Sequence, residues 1–182
     1  MIMITILAII VAFIAAAATL SLTTFDTFTS AATQQPNFIA QLKSEMVVPS
    51  VISNATGVAY FQLDMEDSNK IKYSLIVIDL GNAKAAHIHI GKEGEKNGTV
   101  IVTLYKPFKP PRHLGRILSI DDNITPDILE GPLAGKQLSV LVNFMNNRTT
   151  YVDIHSQEYP NGELRGQILN RTFIGSSSTL HF

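Results

Sequence analysis

Two histidines separated by one residue are the side chains of this sequence best suited to metal chemistry. Residues i and i+2 of a β-strand point to the same face, so His87 and His89 would share one side of a sheet. A third imidazole from a later strand, that of His155, would complete a copper or zinc site with one coordination position open. The remaining histidines occupy a loop and the tail and are not convincing ligands: His113 and His181.

A second set of polar residues surrounds the turn that follows His155. Polar residues alternate with apolar ones along two neighbouring predicted strands: Tyr151, Asp153 and His155 on the first, and Glu163, Arg165 and Gln167 on the second. If the strands form a hairpin, the two polar sets meet on one face of the sheet. This polar cluster either accompanies a metal site or holds the sheet together by pairing Glu163 and Arg165 with each other or with histidines. The sequence leaves open whether the strand of His87 lies beside it.

Composition excludes several chemistries. The chain of 182 residues has no cysteine, which excludes disulfides, thiolate metal sites, iron–sulfur clusters and cysteine nucleophiles. Asp153 and His155 would suit a hydrolase triad, but no serine in a Gly-x-Ser-x-Gly turn accompanies them. A formal net charge of -1 argues against a nucleic-acid partner. We expect no catalytic residues.

Two charged loops have both a functional and a structural interpretation. The segment 91–98 is glycine-rich without the spacing of a phosphate-binding loop, which predicts a hairpin tip in which Glu93 and Glu95 could assist a cation. The segment 106–112 is basic and proline-rich. It is a stiff connector or a docking site for a protein or an acidic polymer.

The elements that must position these residues are mostly strands. Short β-branched or alternating runs, separated by Gly, Pro and Asn, indicate strands at Thr56–Leu63, Lys70–Asp79, Thr99–Tyr105, Thr149–His155 and Glu163–Leu169. Pro126–Leu129 could form one helical turn, and Gln137–Met145 could be a short helix or a strand. The predicted class is all-β, an antiparallel β-sandwich or Greek-key barrel preceded by an N-terminal hydrophobic helix.

The N-terminal segment predicts a location outside the cytoplasm. Residues Ile2–Ala18 are apolar apart from Thr5, which is close to the lower limit of about 17 residues for a membrane span. The segment is a signal peptide cleaved after Ala32 or an uncleaved transmembrane anchor. Either interpretation predicts a protein that is secreted or anchored to the cell membrane.

Five N-x-[ST] sequons agree with this location. Candidate N-glycosylation acceptors are Asn54, Asn97, Asn123, Asn147 and Asn170. The alternative is that a β protein rich in Asn and Thr matches the pattern by composition.

Three blocks of the sequence resemble the CHRD domain, a module named after the repeats of chordin and also found in secreted bacterial and archaeal proteins. The blocks are Phe38–Leu42 with Pro49 and Ala55–Gly57, then Ala86–Gly91 with Asn97 and Gly98, then Tyr151–His155 with Tyr159–Gln167. The resemblance implies a β-sandwich outside the cell and no established reaction. The His87–His89 strand also resembles the metal strand of copper/zinc superoxide dismutases, although their further histidine ligands and their disulfide have no counterpart here.

These observations predict a signal peptide or membrane anchor with a linker over residues 1–32, a CHRD-like domain over 33–171 and a flexible tail over 172–182. The predicted function is an extracytoplasmic binding or structural module without turnover or cofactor, whose partner is an unknown surface protein or polymer. The membrane is a further partner if the N-terminal helix is uncleaved. The alternative is a copper- or zinc-binding protein that uses the His87–His89 strand and could also have superoxide-dismutase-like redox activity.

Overall fold

The computed structural model describes residues 35–96, 98–106, 112–114 and 117–171. The predicted N-terminal helix and linker, Asn97, most of the proline-rich loop and the tail 172–182 lie outside these residues. None of the helices in the described ranges is long and apolar enough to cross a membrane.

The described chain forms ten strands, one α-helix and three short 3-10 helices. The strands are β1 Phe38–Lys43, β2 Thr56–Leu63, β3 Ile71–Ile78, β4 Ala83–Ile90, β5 Thr99–Tyr105, β6 Arg112–Leu114, β7 Ile117–Ile124, β8 Thr150–Ser156, β9 Leu164–Gln167 and β10 Leu169–Asn170. The α-helix, α1, is Leu138–Asn146, and the 3-10 helices are Ser44–Met46, Pro126–Ile128 and Gly131–Leu133.

All strands belong to one antiparallel sheet. The order is β5-β4-β8-β9-β1-β2-β3-β7-β6, with β10 also paired to β1. A single sheet whose strands all turn apolar side chains toward one core must curl, so the sheet is nearly closed and barrel-like. The all-β antiparallel prediction is therefore confirmed, whereas the sandwich of two separate sheets is replaced by one continuous curled sheet.

The core is built from alternate residues, as the period of two requires. Ala59 and Phe61 on β2, and Leu75 and Val77 on β3, are completely buried. The sequence pattern places Ala59 and Phe61 on one face of β2, and Ile71 and Leu75 on one face of β3, and their burial confirms both predictions. Their neighbours at the intervening positions lie on the outer face of the sheet.

Gln137–Met145, which the sequence left as helix or strand, is helical. Leu138, Leu141 and Met145 are buried in the core, and their spacing of three and four residues places them on one stripe of α1. The predicted turn at Pro126–Leu129 is confirmed as a 3-10 helix.

Several strands differ from the prediction. The sequence pattern did not indicate β1 as a strand, nor β6 and β7, which form the far end of the sheet order. In β7 the polar residues Asp121, Asp122 and Asn123 obscure the alternation. The predicted strand Glu163–Leu169 is divided into β9 and β10 at Ile168, whose N–H bonds the carbonyl of Thr150 at 3.0 Å.

Candidate metal centre

The pairing of β4 with β8 decides the position of the histidine strand. His87 lies opposite Asp153, His89 opposite Tyr151, and His155 opposite Ala85. Residues directly opposite each other in an antiparallel pair point to the same face. The strand of His87 and His89 therefore lies beside the polar cluster, on the side of the sheet that faces away from the core.

The three predicted metal ligands come together. One ring nitrogen from each of His87, His89 and His155 lies within 4.8 Å of the others. The ring of His87 is 5.7 Å from that of His89 and 5.2 Å from that of His155, centroid to centroid, and is inclined steeply to both. Three imidazoles from two adjacent strands thus surround one small volume.

Backbone carbonyls orient two of the rings. Nδ1 of His89 is 2.8 Å from the carbonyl oxygen of Gly98, and Nδ1 of His155 is 3.0 Å from that of Pro160. Because a carbonyl only accepts, each Nδ1 carries the proton and each Nε2 presents its lone pair. Such a carbonyl partner is the usual support of a metal-bound histidine.

Two nitrogens of the cluster are buried without a hydrogen-bond partner. They are Nε2 of His89 and Nδ1 of His87. Buried polar atoms are nearly always satisfied, so unsatisfied nitrogens on two rings of one histidine cluster indicate a place for a ligand. Both atoms belong to residues that the sequence had singled out.

Burial keeps these imidazoles neutral. It lowers the pKa of His87 to about 4, assisted by the nearby charges of His155 and His89, and it also lowers the pKa of His89. A neutral imidazole is the form that binds metal. At neutral pH these two rings can therefore bind an ion without first losing a proton.

The geometry accommodates copper or zinc once the rings approach one another. In a tetrahedral site, two nitrogens bound to one ion at about 2.1 Å are about 3.4 Å apart. A pair separated by the full 4.8 Å must therefore approach by roughly 1.4 Å. His155 is only partly buried, so its ring has room to move.

The polar cluster forms as predicted but is not an open recognition face. Asp153 lies opposite Arg165, and Tyr151 opposite Gln167. The side chains of Tyr151, Asp153, Glu163 and Arg165 are all buried. This face is therefore closed to a partner in solvent, because loops cover it.

Arg165 fastens the loop 91–98 over the cluster. Its Nη1 donates to the carbonyl of Glu95 at 2.6 Å and its Nη2 to that of Lys92 at 3.0 Å. Gln167 adds a bond from Nε2 to the carbonyl of Gly91 at 3.1 Å. The loop is the predicted hairpin connection, between β4 and β5, and it also roofs the histidine strand.

The charged residues do not pair as the structural interpretation supposed. No ion pair within the described residues joins Glu163 to Arg165 or either of them to a histidine. Glu163 instead accepts a 2.6 Å hydrogen bond from the hydroxyl of Ser53. The carboxylate of Glu95 accepts the N–H of Lys92 at 2.9 Å within the loop, and Glu93 is exposed.

His89 is the first layer of a three-layer stack. Its ring is parallel to that of Tyr151 within 2°, at 4.9 Å between centroids. The guanidinium of Arg165 covers the other face of Tyr151 at 3.5 Å from the ring centroid. The phenol oxygen accepts the N–H of Gly98 at 3.1 Å, so the stack and the loop restrain the same histidine.

Asp153 is the buried acid of the cluster. Its Oδ1 has no hydrogen-bond partner, and burial raises the pKa of its carboxyl to about 6. A Cβ at Gly162 would lie 2.9 Å from this oxygen, and Gly162 adopts a φ of 121°. The turn therefore needs its glycine there, whereas the preceding Asn161 does not have a positive φ.

The predicted glycosylation acceptors differ in accessibility. Asn54, Asn123 and Asn147 are exposed. Asn170 is partly buried, and its amide donates to Asn146 at 3.1 Å. Asn97 lies outside the described residues.

Sequence reasoning missed the groups that support the site through their backbone. Gly98, Pro160, Lys92 and Glu95 contribute carbonyl oxygens, which any residue carries. Ser53 was missed because it lies 110 residues from Glu163. Among these residues, only Gly98 has a residue type that the site itself requires, because a Cβ there would lie 2.7 Å from the hydroxyl of Tyr151.

Comparison with known proteins agrees with the architecture. No curated protein and no solved structure showed a significant match. The CHRD domain matches residues 38–168, which is well over half of the chain and spans the strands that carry all three histidines. The chain belongs to the CHRD-domain family.

Proposed function

We propose that this CHRD domain is a binding module that holds one copper or zinc ion between His87, His89 and His155. The observation that carries the proposal is the convergence of three imidazole nitrogens, one from each ring, within 4.8 Å, with the Nδ1 atoms of His89 and His155 at hydrogen-bond distance from backbone carbonyls. Three histidines leave a fourth coordination position for water or an external ligand.

Metal binding explains features that a purely structural cluster does not. A structural cluster would pair its buried polar atoms, yet Nε2 of His89, Nδ1 of His87 and Oδ1 of Asp153 have no partner in the described part of the chain. A nearby carboxylate would also offset the charge of a bound cation. Membership of the CHRD family supports a role as a binding or structural module, and the proposal includes no turnover.

The proposed location is outside the cytoplasm, secreted or anchored to the cell membrane. The apolar segment Ile2–Ala18 and the sequons support this part of the proposal. The partner there would be a surface protein or polymer.

Metal stoichiometry tests the proposal. The full chain is purified without a histidine tag, in mild detergent for its apolar N-terminal segment, stripped with a chelator and titrated with Zn²⁺ and Cu²⁺. We expect about one ion per chain by elemental analysis. The variant His87→Ala/His89→Ala should lose it, as should His155→Ala.

The matched control is His113→Ala. His113 lies on β6, which pairs with neither β4 nor β8, so its removal should leave the stoichiometry unchanged. Circular dichroism shows whether each variant is folded. Absence of bound metal in the folded wild-type chain contradicts the proposal, as does metal that a folded His87→Ala/His89→Ala variant retains.

A further inference from the structure

A second concave surface lies on strands that carry none of the three clustered histidines. It is a cavity of about 720 Å³ on the outer face of β2, β3 and β7, walled by residues Gln35 and Arg171. This volume is within the range of about 300–1,000 Å³ that is typical of small-ligand sites. We call it the β2-β3-β7 cavity.

The strand register lines up six side chains on the floor of this cavity. One row is Tyr60, Ser74 and Asp121, and the next row is Gln62, Lys72 and Asn123. Alternate residues of the same strands, such as Phe61 and Leu75, are buried in the core. The floor is therefore a flat two-by-three array of polar and aromatic side chains facing away from the core.

The wall of the cavity is held in place. The guanidinium of Arg171 hydrogen-bonds the side chain of Gln35, and its backbone N–H donates to the carbonyl of Asn37 at 3.0 Å. The side-chain oxygen of Asn37 in turn accepts the N–H of Leu63 at 2.7 Å. These bonds tie the segment before β1 to the end of β2, so the concavity is preformed.

The lining suits a ligand with many hydroxyl groups and no charge. Lys72 and Arg171 lie among Asp121 and Asp122, and Lys72 is also paired with Asp64 at 2.9 Å, so the lining has no excess positive charge that would select a polyanion. Amides and carboxylates offer both donors and acceptors at close spacing, as a row of hydroxyls requires. The partly exposed ring of Tyr60 adds an apolar surface with a polar tip.

We propose that the β2-β3-β7 cavity binds a neutral oligosaccharide. A sugar ring presents an apolar C–H face, which would lie against Tyr60, and an edge of hydroxyls, which would bond Gln62, Asn123 and Asp121. A strand face of the OB-fold, another partly open barrel, is a known binding surface for oligosaccharides. The proposal does not depend on metal binding, because the cavity shares no residue with the histidine cluster.

Binding to immobilised neutral tetrasaccharides tests it. The probes are cellotetraose, maltotetraose, chitotetraose and mannotetraose, and the full chain comes from a bacterial host that attaches no N-linked glycan to Asn123. We expect retention of at least one probe. Tyr60→Ala should weaken that binding by about 10-fold or more, Gln62→Ala should weaken it measurably, and Tyr60→Phe should preserve most of it.

The control is Tyr159→Ala, which removes another partly exposed tyrosine outside the cavity, and it should bind like the wild type. Thermal unfolding verifies that each variant is folded. The proposal is overturned if no probe binds at millimolar concentration, or if folded Tyr60→Ala and Gln62→Ala bind as the wild type does. Binding restricted to sulfated glycans and abolished by salt would also overturn it.

Discussion

At the scale of single residues, the carbonyls of Gly98 and Pro160 decide what the histidines can do. Each accepts the Nδ1 proton of one ring and so directs the lone pair of Nε2 into the cluster. An imidazole free to choose its tautomer would bind metal less selectively. The residue type at each position makes the ligand an imidazole, whereas the ring nitrogen that carries the proton is set by a carbonyl of another residue.

Asp64 gives the fold a pH dependence of known sign. A side-chain hydrogen bond from Lys72, and then the N–H of Glu66, lower its pKa from 3.8 to about 2. Because the pKa of this carboxyl is lower in the folded state than in the unfolded state, its charge stabilises the fold at pH values above the unfolded pKa. This contribution is lost as the pH falls through the folded pKa. Asp64→Asn should therefore lower Tm at pH 7, and its difference from the wild type should shrink between pH 4 and pH 2.

The control for Asp64→Asn is Glu158→Gln. Glu158 is exposed and forms no ion pair among the described residues, so its variant should follow the wild-type Tm at each pH. Asparagine keeps the oxygen that caps the following turn, which confines the comparison to the charge. A pH-independent loss of Tm in Asp64→Asn would refute the electrostatic explanation.

Gly166 is required by the distance between two strands. A Cβ there would lie 2.7 Å from the carbonyl carbon of Gln41 on β1, and closer still to its oxygen. Gly166→Ala should lower the free energy of unfolding by about 2–4 kcal/mol in denaturant titrations. Gly81→Ala, with nothing within 4 Å, should change it by less than about 0.5 kcal/mol. Equal effects of the two variants would contradict the steric explanation.

At the scale of elements, the pairing of β4 with β8 assembles the site and the loop 91–98 covers it. Two hairpins, β4-β5 and β8-β9, are joined side by side although more than 40 residues separate β5 from β8. Hydrogen bonds from Arg165 and Gln167 then hold the loop down. The cluster is therefore buried by its neighbours in space.

Arg165→Lys should release this loop. A lysine ammonium cannot reproduce the planar fork that bonds two carbonyls and stacks on Tyr151. We expect amide hydrogen exchange in residues 91–96 to accelerate by about 10-fold or more, with a loss of about 1–2 kcal/mol in stability. Lys84→Ala, an exposed change on β4, should leave the exchange unaltered. Unchanged exchange in Arg165→Lys would show that other contacts hold the loop.

At the scale of the whole molecule, one curled sheet presents two separate concave surfaces. The histidine cluster lies on the outer side of β4 and β8, and the β2-β3-β7 cavity on the outer side of other strands. Both use positions that alternate with core residues. The single core allows both surfaces to be rigid at once.

Metal binding should stabilise the whole domain. A ligand present at 100 times its Kd stabilises the folded state by about 2.7 kcal/mol, which corresponds to a rise in Tm of roughly 5–10 °C for a domain of this size. We expect calorimetry to show this rise with Zn²⁺ in the wild type and in His113→Ala. His87→Ala/His89→Ala should show none. A similar rise in all three proteins would indicate binding elsewhere.

Much of the local structure could be predicted because it depends on period and residue type. The alternation along β2 correctly placed Ala59 and Phe61 on one face, which the structure shows to be the face buried in the core. The predicted hairpin of β8 and β9 correctly placed Asp153 and Arg165 on one face, and the structure adds that they lie directly opposite each other. The strand β7 was missed because its outer face is polar and its last residues interrupt the alternation.

What the sequence determined by itself is the kind of ligand and its local presentation: two imidazoles on one face of a strand, a third on another, and a polar hairpin face. Only the tertiary structure decided that these strands are neighbours, that loops bury the polar face, and that carbonyls orient His89 and His155. The reason is physical. Side-chain direction along a strand follows from the backbone within a few residues, whereas strand order and loop cover depend on contacts between segments far apart in the chain.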